Sequence, residues 1–138
     1  MYQLRGKLSI VMPAYNEEAL IYNSIMQTLS IVEQFAPDME IIAVNDGSKD
    51  KTKQEIERAI RDDAKQPHPV VPGMRVSGTR IKLVTSNKNR GKGNAIIAGV
   101  SQAEGDYIAF VDADLELNPA QLEGYLKKME ESASDVVI

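Results

Sequence analysis

Short, continuous apolar runs alternate along this chain with longer amphipathic stretches, and that alternation limits the fold more than any other feature. The apolar runs are Lys7–Met12, Glu40–Val44, Arg80–Thr85 and Asp106–Val111. Each is rich in β-branched residues and bounded by turn formers, as expected of strands buried on both faces. Between them, apolar residues recur at helical spacing. Ala19–Phe35 carries Leu20, Ile21, Ile25, Met26, Leu29, Val32 and Phe35, and Lys51–Ala64 carries Ile56, Ala59 and Ile60. Lys92–Ala103 presents small and apolar faces, and Pro119–Glu131 carries Leu122, Tyr125, Leu126 and Met129. Ser134–Ile138 reads as the start of one more strand. Helices that alternate with such strands predict an α/β fold, a mainly parallel sheet covered on both faces in three layers. In the connections, Pro13 is expected to end the first strand. Asn16 is expected to cap the first helix, with Glu17 and Glu18 at its positive end. The segment from Gln66 to Gly78, broken by prolines and glycines, reads as a loop with His68 solvated on it.

The 138 residues suit one domain. With no cysteine and one histidine, thiolate and histidine-rich metal sites are excluded. The net charge of −4 excludes a general basic field for nucleic acid. No apolar run approaches the ~20 residues of a membrane span. Met1–Lys7 lacks the apolar core of a signal peptide. A cytoplasmic protein, or a cytoplasmic piece of a larger one, is the expectation.

Three of the strands run directly into polar loops of distinctive composition. The first runs into Pro13-Ala14-Tyr15-Asn16-Glu17, the second into Asn45-Asp46-Gly47-Ser48, and the fourth into Asp112-Ala113-Asp114-Leu115-Glu116. In a parallel sheet these loops share one edge, where ligands of open α/β folds bind. The acidic triplet taken alone has two readings, a site for a hard divalent cation or ordinary turn and capping chemistry. The convergence of all three loops favours nucleotide recognition. Asp46 can accept hydrogen bonds from a base or a ribose, and Tyr15 can stack on a base. Asp112 and Asp114 repel a diphosphate directly but can hold one through Mg²⁺ or Mn²⁺, with Arg90 and Lys92 adding positive charge. Familiar phosphate loops are absent. Gly91-Lys92-Gly93 does not fit Gly-x-x-x-x-Gly-Lys-Ser/Thr, and no Gly-x-Gly-x-x-Gly follows the first strand. A Ser-His-Asp hydrolase has no support in a chain with one loop histidine.

Four ordered motifs, Ser9-Ile-Val-Met-Pro-Ala-Tyr-Asn-Glu-Glu18, Val44-Asn-Asp-Gly-Ser48, Asn89-Arg-Gly-Lys-Gly93 and Phe110-Val-Asp-Ala-Asp114, span nearly the whole chain. Together they resemble the N-terminal part of a family 2 glycosyltransferase of the GT-A fold, a Rossmann-like architecture. The third and fourth most resemble the dolichyl-phosphate (polyprenyl-phosphate) mannosyl- and glucosyltransferases. The resemblance implies a nucleotide-diphosphate sugar, GDP-mannose or UDP-glucose, as donor and a lipid phosphate as acceptor. The intact protein would then work at the cytoplasmic face of a membrane. It implies that Pro13, Tyr15 and Glu17 hold the sugar nucleotide and that Val44 and Asp46 hold base and ribose. Asp112, Ala113 and Asp114 would hold ribose, diphosphate and metal. Glu116 stands where the family commonly has a Gln that helps bind Mg²⁺ or Mn²⁺, and is expected to serve as a metal ligand beside Asp112 and Asp114. Asn45 stands where an Asp is more usual. The catalytic base and acceptor elements of the family lie beyond the position of Ile138, so the expectation is a donor-binding part that transfers nothing on its own, with an inverting hexosyltransferase as the intact protein. A non-catalytic nucleotide-binding module of the same fold is the alternative. An exposed sheet edge at Ser134–Ile138 is expected to favour self-association.

Overall fold

The structure is a computed structural model that describes residues 2–69 and 78–132. Strands β1 (Leu8–Ala14), β2 (Met39–Asp46), β3 (Ile81–Ser86) and β4 (Tyr107–Phe110) alternate with helices α1 (Ile21–Val32), α2 (Thr52–Ala64), α3 (Lys92–Val100) and α4 (Gln121–Ser132). The strands form one sheet in the order β3-β2-β1-β4, and every pair is parallel. Leu8 is level with Met39 on one side and Tyr107 on the other. The chain steps outward from β1 through β2 to β3, then returns to add β4 on the far side of β1. The C-terminal ends of β1 and β4 therefore flank the point where strand order reverses, the ligand-binding crevice of such sheets.

Alternation along the strands sorts the core into two layers. Leu8, Ile10 and Met12 of β1 and Ile41 and Ala43 of β2 pack with Ile21, Ile25 and Leu29 of α1, Ile56 of α2, and Leu122 and Leu126 of α4. Val11, Ile42 and Val44 face the other way and pack with Ala95 of α3. Full burial of each large aliphatic here stabilises the fold by about 1.5–3 kcal/mol. Helix α3 lies very close to the sheet. A Cβ added at Gly99 would sit 2.4 Å from Val11 Cγ1 and 3.1 Å from Val44 Cγ2. Only glycine lets the helix descend that far.

Four sequence expectations are corrected. Pro13 does not end β1, which continues through it to Ala14, level with Asn45. The Val111 N–H donates to Val11 O at 3.0 Å, so residues of this parity bond toward β4. The β4 ladder stops at Phe110 opposite Val11, and the N–H that Pro13 lacks would face a side with no strand. Asn16 is not a helix cap. It adopts φ 53° in the loop before α1, and Leu20 stands at the cap position. β4 is not buried on both faces, because Ile108 and Phe110 are about half exposed on the side that α3 occupies over β1 and β2. His68 is not solvated. Its side chain is 5% exposed, with Nε2 2.9 Å from Asp63 O and 3.3 Å from Asp63 Oδ1. The expected strand at Ser134–Ile138 lies outside the described residues. Among the described residues no helix is long and apolar enough to cross a membrane.

Candidate functional site

A cleft of about 300 Å³ opens at the C-terminal edge of the sheet. It is lined from β1 and its loop by Pro13, Ala14, Tyr15 and Glu17, from the end of β2 by Asp46, and from beyond β4 by Asp112, Ala113 and Asp114. Asn89, Gly91, Lys92 and Ala95 close it from the loop between β3 and α3 and from the first turns of α3.

The loop after β1 is held by the loop after β2. The Asn16 N–H donates to Ser48 Oγ at 2.9 Å, the Lys49 N–H donates back to Asn16 Oδ1 at 2.9 Å, and the Glu17 N–H donates to Thr52 Oγ1 at 2.8 Å. Asparagine tolerates the left-handed conformation that this reciprocal pairing requires. Tyr15 is left on the rim, 41% exposed. Asn45 closes the β2 turn, accepting from the Ser48 N–H at 3.2 Å while its Nδ2 donates to Thr85 of β3 at 2.9 Å. The second bond needs an amide donor, which the more usual Asp lacks.

Asp46 is buried at 5% exposure, and its carboxylate is engaged by backbone. Oδ1 accepts from the Arg90 N–H at 2.9 Å and Oδ2 from the Gly91 N–H at 3.0 Å. Gly47 makes the adjoining turn at φ 68°, where a Cβ would lie 2.3 Å from the Lys88 carbonyl carbon. The loop carrying Asn89 to Lys92 is thus seated on the end of β2.

The acidic loop after β4 hangs from Ala113. That side chain is 2% exposed in the core, and the Ser24 hydroxyl of α1 donates to its carbonyl. A small buried anchor between two outward carboxylates is the physical sense of the Asp-Ala-Asp spacing. The chain turns at Leu115, φ 52°, and the Glu116 N–H donates to Asp114 Oδ1 at 3.0 Å. Lys92 Nζ lies 2.6 Å from Asp112 Oδ1. Burial, reinforced by the nearby carboxylates Asp114 and Asp50, pushes the Glu17 carboxyl above its ordinary range.

Of the residues expected at the site, Pro13, Tyr15, Glu17, Asp46, Lys92, Asp112, Ala113 and Asp114 meet in this cleft. Val44 does not. Its side chain packs under α3 and borders a smaller neighbouring cavity with Val84, Arg90 and Asn94. The Glu116 side chain is exposed and absent from the lining, and among the described residues no group of three or more acidic or histidine side chains is placed to hold a metal. Ala14, Asn89, Gly91 and Ala95 were missed as lining residues. Asn89 and Gly91 lie inside the third motif, which was their signal, whereas Ala14 and Ala95 read only as strand and helix. Two oxygen donors from protein fit a hard cation such as Mg²⁺ or Mn²⁺, which commonly takes its other ligands from phosphate and water.

The sequence profile of Glycosyl transferase family 2 matches residues 9–138. The chain belongs to this family. Among curated relatives, the undecaprenyl-phosphate 4-deoxy-4-formamido-L-arabinose transferase of Enterobacter sp. (strain 638) is 34% identical over 125 residues, which cover 91% of this chain and 34% of the relative. The chain therefore spans about a third of the length of such relatives. Among solved structures, the mannosyltransferase PcManGT of Pyrobaculum calidifontis, in complex with GDP-Man and Mn²⁺, superposes with a TM-score of 0.73 at 22% identity, covering 97% of this chain and 34% of that one. TarS 1-349 of S. aureus, in complex with UDP-GlcNAc, superposes with a TM-score of 0.65 at 26% identity, covering 94% and 32%. The parallel sheet and its helices are those of a GT-A glycosyltransferase.

Proposed function

We propose that this chain forms the donor site of a glycosyltransferase that moves a sugar, a hexose in the reading taken from the sequence, from a nucleotide diphosphate to a lipid phosphate of the polyprenyl class. One observation carries the donor-site reading. Tyr15, Asp46, Lys92 and the Asp112/Asp114 pair, distant in sequence, line a single cleft at the strand-order switch. Tyr15 on the rim offers an aromatic face to a base. Asp46 seats the loop that delivers Lys92, and Lys92 and the first-turn N–H groups of α3 face the phosphates. Asp112 and Asp114 would hold a divalent cation, which when bound stabilises the charge of the departing diphosphate. The acceptor class rests on the named activity of the Enterobacter relative. Transfer itself is assigned to the whole protein, of which relatives have about three times this length.

Calorimetry with GDP and UDP, with and without Mn²⁺, tests the reading. One of the two nucleotides is expected to bind, more tightly with Mn²⁺. Asp112→Ala and Asp114→Ala are each expected to weaken that binding by about 10–100-fold or more, on the scale of lost metal-site support. Asp112 and Asp114 are exposed, so circular dichroism should remain that of the folded chain. If neither nucleotide binds, or both variants bind like the parent, the donor-site reading is wrong.

A further inference from the structure

One carboxylate of the acidic pair, Asp112, is engaged by a side chain of the chain itself. Lys92 opens α3 and places Nζ 2.6 Å from Asp112 Oδ1, with the two side chains 61% and 47% exposed. The position of Lys92 is fixed from behind, because Asp46 holds the N–H groups of Arg90 and Gly91 immediately before it. The acidic pair is also a poor metal site by itself. Among the described residues no third acidic or histidine side chain joins Asp112 and Asp114. A diphosphate arriving alone would meet Asp112, Asp114 and Glu17 on the same wall. Each ligand is therefore opposed in isolation, the cation by a bound ammonium and the diphosphate by carboxylates.

We infer that Lys92 is an internal counter-ion exchanged during donor binding. It neutralises Asp112 while the cleft is empty, and passes to the phosphates as a diphosphate enters, which frees Asp112 for the cation. Divalent ion and diphosphate then bind with positive coupling, and part of that coupling resides in Lys92. This rests on the donor-site reading above. If Lys92 served only as a phosphate ligand, its removal would leave binding of the metal alone unchanged. If it is the counter-ion, removing it tightens that binding by about 1.5- to 5-fold, the equivalent of one exposed ion pair.

The test is titration of the nucleotide-free chain with Mn²⁺, reading free Mn²⁺ by electron paramagnetic resonance, then repeated with saturating GDP or UDP. Lys92→Met is expected to bind Mn²⁺ alone more tightly than the parent and to gain less affinity on adding nucleotide. Lys88→Met, which removes an exposed charge from the same loop, is expected to match the parent. The inference is overturned if Lys92→Met binds Mn²⁺ alone no better than the parent, if it takes up none at millimolar metal, or if Lys88→Met shows the same gain. Asp112→Asn separates this from failure of the donor-site reading. If that variant binds nucleotide with Mn²⁺ like the parent, the donor site is misplaced. If it loses that binding while Lys92→Met leaves Mn²⁺ affinity unchanged, only the exchange is wrong.

Discussion

Replacement of Asp46 by Asn is expected to release the loop before α3 while leaving the rest of the fold in place. Asp46 is nearly isosteric with Asn, so the change is in charge and bonding and not in volume. The carboxylate accepts one N–H on each oxygen, from Arg90 at 2.9 Å and Gly91 at 3.0 Å, at 5% exposure. Hydrogen bonds to a charged partner contribute about 1.5–3 kcal/mol each, and neutral ones about 0.5–1.5 kcal/mol. The amide keeps one oxygen and turns an NH₂ toward the other N–H. One bond is lost, although the Gly91 N–H keeps Asn89 Oδ1 at 3.0 Å, and the second weakens, a cost of about 1–3 kcal/mol to loop closure. At about 1.4 kcal/mol per tenfold, the loop amides should exchange with solvent roughly 5- to 150-fold faster. Hydrogen exchange resolved at Arg90 and Gly91, without nucleotide, reads this directly. Nucleotide affinity cannot do so, because Asp46 also lines the cleft. The Glu104 and Gly105 amides serve as internal references, since they donate to Glu40 and Ser9 at the opposite end of the sheet. Unchanged protection at Arg90 and Gly91 would refute the assignment. So would a uniform loss that includes Glu104 and Gly105, since it would mean that Asp46 supports the whole fold and not one loop.

Gly99→Ala offers a test by sign. Helix propensity alone predicts a gain of about 1 kcal/mol. The new Cβ, 2.4 Å from Val11 Cγ1, overpacks the sheet contact at about 1–3 kcal/mol, so chemical denaturation should show a net loss of up to about 2 kcal/mol. A stabilised variant would place α3 farther from the sheet than described. Acid sensitivity is set in part by two buried carboxylates. Burial pushes Asp63 up, but the Arg80 side chain and N–H and the nearby His68 outweigh it and hold the group below its ordinary 3.8. Burial likewise pushes Glu40 up, and Ser9, the Glu104 N–H, Lys82 and Lys7 outweigh it, holding it below 4.5. A depressed folded pKa gives stability that is present above the unfolded value and is lost as pH falls through the folded one. Denaturant midpoints should therefore fall below about pH 4.5, and Asp63→Asn and Glu40→Gln should each lower the neutral midpoint and flatten that acid limb. An acid limb as steep in both variants as in the parent would assign the effect to other groups.

Much of this architecture can be read along the chain. The strands are legible because each is a short apolar run, and the parallel order because helical stretches separate them. The cleft is legible because polar clusters follow β1, β2 and β4 at the same place in each unit. What was not legible depends on neighbours that the local sequence does not specify. Pro13 looks like a strand terminator until the side of β1 on which its missing N–H falls is known. The exposure of Phe110 depends on which strands α3 covers. His68 looks solvated between two prolines, yet it lies against Asp63 at the end of α2. Val44 adjoins Asp46 by only two positions and shares its face of the sheet, yet it lies one layer below the cleft because α3 covers it. Asp46 itself was read as a ligand group, and the loop it holds lies 44 residues downstream.

That last contact is half of a larger arrangement. β2 is buried along its whole length, and on the face toward α3 it carries Glu40 near its start and Asp46 at its end. Asp46 receives the chain entering α3, through the N–H groups of Arg90 and Gly91. Glu40 receives the chain leaving it, accepting from the Glu104 N–H at 2.8 Å and from Ser9 Oγ at 2.6 Å, while Ser9 Oγ accepts from the Gly105 N–H at 2.8 Å. Between these two buried carboxylates the buried positions of the helix are Ala95 and Gly99, a methyl group and bare backbone, which give close approach. The two carboxylates tie down the chain at both ends of the helix, and with it the reach of Lys92 to Asp112. A charge at the mouth of the cleft is thus positioned from the sheet interior.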